Sequence, residues 1–307
     1  MPVDWLVAAY NGVLAVVWLF AIGRAAAAPW LGATHLAAMT MPWLLARAPS
    51  RTSAPMQVLR DVYPLIWLAA FWLELDLVRP ALALKGIDDP IAALDLAVFG
   101  VHLHEVWAPS MSATWFSELM HLLYFAYYPL IYIPPLVVIL QKRFPALRDM
   151  VFRLMVAYLL CYVAYIPFPV DGPHFLQEHF QGPHTEGVFY KVVGLTQAAG
   201  DSRGCSFPSS HVAGAVSIAY LGWRWFPRWA AWLMTAEAVG VLLSTTYTQN
   251  HYAIDALAAL LFALGLQVVV IGNVGRLTAP ARRRSVKAAP VSALGSTATG
   301  IEGESAQ

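Results

Sequence analysis

Charge is what this chain has least of. Only 12% of its 307 residues are Asp, Glu, Lys or Arg, about half the share usual in a soluble domain. Acidic and basic residues nearly cancel, and a net charge of +1 offers no basic surface for nucleic acid. Cysteine is scarce as well. Cys161 and Cys205 are too few for a disulfide framework or a thiolate metal site. Cys161 falls inside an apolar segment and reads as a small core residue. The opening "MPVD" lacks a basic n-region, so no cleavable signal is expected. No internal repeat is visible.

Apolar residues take the place of charge. They make up 59% of the chain, with mean hydropathy +0.59, and runs of about 20, enough to cross a bilayer, recur along most of its length. The pattern predicts an all-α integral membrane protein with about eight transmembrane helices, at roughly 4–22, 28–47, 61–79, 117–140, 150–168, 209–226, 229–247 and 251–272. Residues 80–116 contain short amphipathic stretches such as "IAALDLAVFG", expected to lie along the interface. Residues 170–208 form the second long connection. From Arg276 to residue 307 the chain is rich in Ala, Ser, Gly and Arg without apolar period, and reads as a disordered cytoplasmic tail.

Basic residues set the expected orientation. Of the 19 lysines and arginines, all but Arg24, Arg79, Lys85, Lys191 and Arg203 fall on one set of loops and on the two termini. Positive charge stays cytoplasmic. Both termini are therefore expected inside, in a cell (inner) membrane, with 80–116, 170–208 and 248–250 facing outward.

Two signals converge on that outer face. One is "GCSFPSSHVAG", residues 204–214, at the start of the sixth span. The other is "STTYTQNHYAID", residues 244–255, at the start of the eighth. His251 and Asp255 are four apart, one turn along a helix face. A carboxylate on one imidazole nitrogen fixes the tautomer and leaves the other nitrogen as a directed base or nucleophile. Taken alone, the spacing fits a self-satisfied polar pair better. Pro208 and Ser209 suit a helix start, with Ser209 as N-cap, but that does not account for His211. A helix N-terminus favours a phosphate, Ser209 and Ser210 add hydroxyls, and a protonated His211 can give a proton to a leaving oxygen. Together these parts describe phosphoryl transfer through a phosphohistidine, with no cofactor, and with no metal needed if enough cationic donors surround the phosphate. His251 is the candidate nucleophile, Asp255 its partner and His211 the acid.

"FPSSHVAG" and "NHYAIDALAALL" resemble the second and third signature motifs of the type 2 phosphatidic acid phosphatase superfamily. More closely, they are similar to its inositol phosphorylceramide synthase-like branch. The resemblance covers roughly residues 115–272. It implies a six-helix membrane core, formed here by the last six spans within residues 61–275, preceded by two extra helices in 1–60. It implies the same roles for His251, Asp255 and His211. Two departures concern cations. Thr245 stands where the third motif has Arg, and the first motif, a Lys followed by Arg–Pro, is replaced by "PFPVDGPHF", residues 167–175. Arg203, Lys191 and His174 are the substitutes available on the same face, with Arg203 the best placed.

Other residues carry less. "HLHE", with His102, His104 and Glu105, lacks a third metal ligand and reads as a wet interfacial loop; His179 and His184 read alike. The Tyr-rich stretch 121–135 reads as an aromatic belt. Glu74 and Asp76 are expected to meet water or a headgroup at the outer end of the third span. Glu237, near the middle of the seventh, has no partner visible in sequence.

The leading expectation is a membrane lipid phosphatase or phosphotransferase with its site on the extracytoplasmic side and a lipid phosphate as substrate. The alternative within it is inositol phosphorylceramide synthase-like transfer of a phospho-headgroup to a lipid alcohol. A transporter with histidines lining a polar path, and an inactive scaffold, are the rivals of another class.

Overall fold

The structure, a computed structural model, describes residues 1–47 and 53–270. The expected tail from 276 lies outside those residues. Among the described residues the chain is all-helical, and its one β feature is an isolated parallel bridge between Val170 and Cys205.

The helices are α1 (Pro2–Phe20), α2 (Ala28–Ala38), α3 (Met41–Ala46), α4 (Ala54–Leu82), α5 (Asp88–Phe99), α6 (Leu103–Ser110) and α7 (Thr114–Leu140). They continue as α8 (Phe144–Tyr165), α9 (Pro173–Leu176), α10 (Val188–Gly200), α11 (Ser210–Trp225), α12 (Arg228–Tyr247) and α13 (Ala253–Leu264), which runs on as a π-helix over Gly265–Val270. Two of them, α1 and α7, are long and apolar enough to cross a membrane; α5 and α6, bent by 59° at their junction, would make a third as a broken span or a re-entrant pair. The stretch expected as a second span, 28–47, is divided into α2 and α3, with Pro42 in the first turn of the second piece. The other expected spans coincide with helices that are shorter or carry charge, such as α8 with Arg148, Asp149 and Arg153.

α11 is the centre of the bundle. It packs on α7, α8, α12 and α13, while α4 leans on α8, and α1 closes over α4 and α8. Its wall explains the close approach: Val212, Ala213, Gly214, Ala215 and Ser217 are all buried. α8 answers with larger residues, Met150, Leu154, Met155 and Tyr158, buried in the same cluster.

The two ends of the bundle differ in chemistry. At one end basic residues are tied down: Arg148 to Asp61 at 2.9 Å, Arg224 to Asp149 at 2.7 Å, and Arg60 to Asp4 at 2.6 Å. At the other end lie the starts of α11 and α13 and the loops before them. There Val170 accepts from Ser206 N at 2.8 Å and donates to the Gly204 carbonyl at 3.3 Å, so "PFPVDGPHF" docks alongside "GCSFPSSH". Gly172 has φ +81°, and a Cβ there would lie 2.7 Å from Ser206 Oγ and 3.1 Å from the Asn250 carbonyl. Only glycine fits.

Glu74 is not free to meet water. His35 Nε2 contacts its carboxylate at 2.7 Å, Trp18 Nε1 donates to it, and His35 Nδ1 contacts Asn11 Oδ1 at 2.8 Å. Asp76 is exposed. Glu237 Oε1 is buried without a hydrogen-bond partner among the described residues, and nothing in the structure explains it.

Candidate active site

Helix starts bring the motif residues together. Ser209 caps α11 by accepting from Val212 N at 3.3 Å, and the Ser209 amide donates to the Asp255 carbonyl at 3.3 Å, which ties the start of α11 to the start of α13. Tyr252 N donates to Asp255 Oδ2 at 3.1 Å. His251 thus sits just before α13 with Asp255 one turn on, and both are buried.

The contact between them is only partly direct. His251 Nδ1 lies 3.4 Å from Asp255 Oδ2, long for a hydrogen bond. Ser206 bridges it: its Oγ is 2.9 Å from His251 Nδ1 and donates to Asp255 Oδ2 at 2.6 Å. A hydroxyl donating to a carboxylate has only lone pairs left for the imidazole, so Nδ1 must carry the proton. Nε2 then bears the lone pair. It faces Ser209 Oγ at 3.1 Å, and because Ser209 accepts from Val212 N, its own hydrogen is free to point at Nε2.

The His211 ring centroid stands 5.8 Å from that of His251. An aromatic wall holds it: Tyr127 at 4.4 Å and Tyr124 at 5.3 Å between centroids, with Tyr124 Oη 3.3 Å from His211 Nε2. Tyr124 and Tyr127 are buried, so this part of 121–135 is site wall rather than interfacial belt. Both side chains lie on one face of α7, as their three-residue spacing allows. Ser210 is buried, and its amide donates to Tyr165 Oη at 3.1 Å. The amides of Ser210 and Val212 are therefore already engaged at this helix start.

The two histidines open on a small cavity of about 30 Å³, whose wall includes Trp72, Tyr124, Asp171, His174, Asp201 and Ser206. The substitute cations fare unequally. His174 lies on this wall, but burial first, then His179 and Arg203, lower its pKa to about 4. It is neutral at pH 7. Arg203 is not on the wall and places its guanidinium 5.0 Å over the Phe175 ring. Lys191 is exposed on α10 and away from the cavity. Among the described residues, no Lys or Arg lines this cavity. Arg79 pairs with the wall residue Asp171, whose amide donates to Asp88 Oδ2 at 3.1 Å.

Sequence reading missed Ser206 and Asp201. Ser206 was inside a stretch already singled out, but nothing in its spacing marks it; the Val170–Cys205 bridge aims it. Asp201 closes α10, with Oδ2 4.0 Å from His174 Nε2, and burial raises its carboxyl to about 7.

Asp201 is also where three spaces meet. An apolar groove of about 360 Å³, with Leu65, Leu68, Trp72, Tyr128 and Ile131 on its sides, ends at Ser210, His211 and Asp201. A more polar chamber of about 460 Å³, bearing His121, His184, Tyr190, Gln197 and Gln249, reaches His174 and Asp201 from the other side. The small cavity lies between.

The family model described as the PAP2 superfamily matches residues 89–269. The chain belongs to the PAP2 superfamily. That membership supports a phosphoester hydrolase or phosphotransferase in general, and with it an enzyme. The match takes in α5 to α13 and both histidine motifs, and leaves α1 to α4 outside. No curated protein and no solved structure matches the chain.

Proposed function

We propose that this PAP2 superfamily protein cleaves or transfers a lipid phosphoester through a phosphohistidine on His251. The observation that carries the reading is the junction of the apolar groove and the paired histidines: a lipid lying in the groove brings its phosphate to His211 and His251. In this mechanism the phosphate replaces Ser209 Oγ as the partner of His251 Nε2. That nitrogen attacks phosphorus, the bond to the leaving alcohol breaks, and His211 protonates the departing oxygen. Ser206 and Asp255 hold the proton on Nδ1 and stabilise the charge that develops on the ring. Water, or an alcohol deprotonated by His211, then attacks phosphorus and frees His251. No metal acts at the phosphate in this scheme.

The reading extends to topology. Eight spans put both termini in the cytoplasm and the histidines outside; α5 and α6, as a re-entrant pair, leave that parity unchanged. The tied-down arginines at the opposite end of the bundle support this orientation. α4 joins the six-helix core within 61–275 because it forms one side of the groove, and α1 to α3 are an N-terminal addition.

A second reading, headgroup transfer in the manner of the inositol phosphorylceramide synthase-like branch, is favoured by the cavity wall. Asp201, and Asp171 already paired with Arg79, on a wall with no lysine or arginine among the described residues, suit a phosphodiester with one negative charge better than a monoester with two. The polar chamber offers room for the second alcohol.

Purified protein in mixed micelles, offered phosphatidate, phosphatidylinositol and polyprenyl diphosphates with and without inositol or ceramide, tests both. Free phosphate that disappears in His251→Ala marks a phosphatase. A new phosphorylated lipid with little free phosphate marks a transferase. Activity persisting in His251→Ala overturns the mechanism, and no turnover with any lipid overturns the functional reading.

A further inference from the structure

The bend between α5 and α6 gathers three side chains that the phosphoryl chemistry does not use. Asp95 Oδ2 lies 3.5 Å from His102 Nδ1 and 4.0 Å from His104 Nδ1, and one ligand atom from each residue falls within 4.8 Å of the others. These same three atoms are buried without a hydrogen-bond partner among the described residues. Asp95 and His104 are almost wholly buried, at 0% and 1% exposed. Buried polar atoms are nearly always paired, and three orphans converging on one point call for a common partner. The "HLHE" pattern lacked a third ligand in sequence; Asp95, seven residues upstream on α5, supplies it.

The geometry suits an ion. Tetrahedral bonds of about 2.0–2.1 Å to imidazole and carboxylate separate the ligand atoms by roughly 3.4 Å, so the Asp95 oxygen, at 3.5 and 4.0 Å from the two imidazole nitrogens, is already close to ligand spacing. Two neutral imidazole nitrogens and one carboxylate oxygen are a donor set for a borderline-soft divalent ion rather than for calcium or magnesium. The far side of His104, its Nε2, lies 3.1 Å from the Gln177 side-chain amide and 3.7 Å from Glu105 Oε1. Ligation through Nδ1 puts the ring proton on Nε2, so the Gln177 amide must turn aside and leave Glu105 to accept it.

We propose that Asp95, His102 and His104 bind one divalent transition-metal ion, with zinc the best fit. The site is structural. None of its three residues lines the cavity at His211 and His251, but the other oxygen of Asp95 accepts from Ile254 N at 2.9 Å, and the His104 ring stands edge-on to Tyr252 at 5.0 Å. The ion thus fixes the carboxylate that caps α13, one residue before Asp255. This inference is independent of the reaction assigned above.

The test is metal analysis of the full chain in detergent, purified through an affinity tag that contains no histidine. The expected result is about one zinc per chain, removed by a strong chelator and restored by Zn²⁺, with a rise in Tm on reloading. Cobalt in its place should give the visible absorption of a tetrahedral ion. His102→Ala and His104→Ala should each lose the metal and the Tm response. Wild-type protein that neither carries zinc nor takes up Zn²⁺ or Co²⁺ at micromolar free ion overturns the proposal, whatever the variants do. Equal binding by a folded His102→Ala, His104→Ala double variant overturns it too.

Discussion

Two buried imidazole–carboxylate pairs in this molecule look alike on paper and differ in what surrounds them. In the N-terminal helices, His35 has both nitrogens occupied, by Glu74 and by Asn11, and Trp18 also donates to the Glu74 carboxylate. The pair is satisfied and faces none of the cavities described above. At the start of α13, His251 has one nitrogen fixed through Ser206 and Asp255, while the other meets only a serine hydroxyl beside a cavity that His211 shares. A saturated pair stabilises a fold; a pair with one replaceable partner can do chemistry. The comparison locates reactivity in the open nitrogen and not in the His–carboxylate motif itself.

Breaking the two pairs should give opposite phenotypes. His251→Ala should abolish turnover while leaving Tm close to wild type. His35→Ala should keep its turnover but lose about 1–3 kcal/mol of stability by stranding Glu74 and Asn11, read as a lower unfolding temperature. Equal loss of activity in both variants would erase the distinction.

The next largest effect belongs to His211. Its replacement by Ala should cost about 10²- to 10⁴-fold in kcat, the usual contribution of a general acid. The loss should shrink sharply with an activated ester such as a p-nitrophenyl phosphodiester, whose leaving group needs no proton. A loss independent of the leaving group would deny His211 that role.

Ser206→Ala sharpens the comparison by loosening the fixed side of His251. Losing a hydrogen bond to a charged group costs about 1.5–3 kcal/mol, or roughly 10- to 100-fold in kcat, with KM little changed. Ser206→Thr keeps the hydroxyl and should recover part of that loss.

The smallest expected effect is a pH dependence at Asp201. Its pKa is raised by burial to about 7, so the carboxyl is largely protonated in mild acid and ionises as pH rises through 7. Ionisation puts a second negative charge beside the phosphate, and KM should rise a few-fold on the alkaline side. The same sign holds for stability: the carboxyl ionises more easily in the unfolded chain, so its ionisation erodes stability as pH climbs from about 4 towards 7. Asp201→Asn should flatten both trends. An unchanged KM profile in the variant would remove Asp201 from the site.

How much of this was legible in the sequence follows from distance along the chain. The helix start at Ser209 and the one-turn spacing of His251 and Asp255 are local, and could be read directly. The helical class follows from the apolar runs, although the second of them splits into α2 and α3, a break that turns on local backbone at residues 39–40. Ser206, Asp201 and the Tyr124–Tyr127 wall could not be read in the same way. They reach the site only because two loops pair at Val170 and Cys205 and because α7 packs on α11. Asp95 and Asp88 also act across long separations, capping backbone amides at Ile254 and Gly172. Spacing rules have no access to such contacts.

The most direct measurement is to trap the intermediate. Protein turning over a ³²P-labelled lipid phosphoester would be quenched into alkali, in which phosphohistidine survives, and the labelled peptide mapped. The account predicts acid-labile label on the peptide containing His251 and none in His251→Ala. Turnover without acid-labile label, or label on another residue, would contradict it.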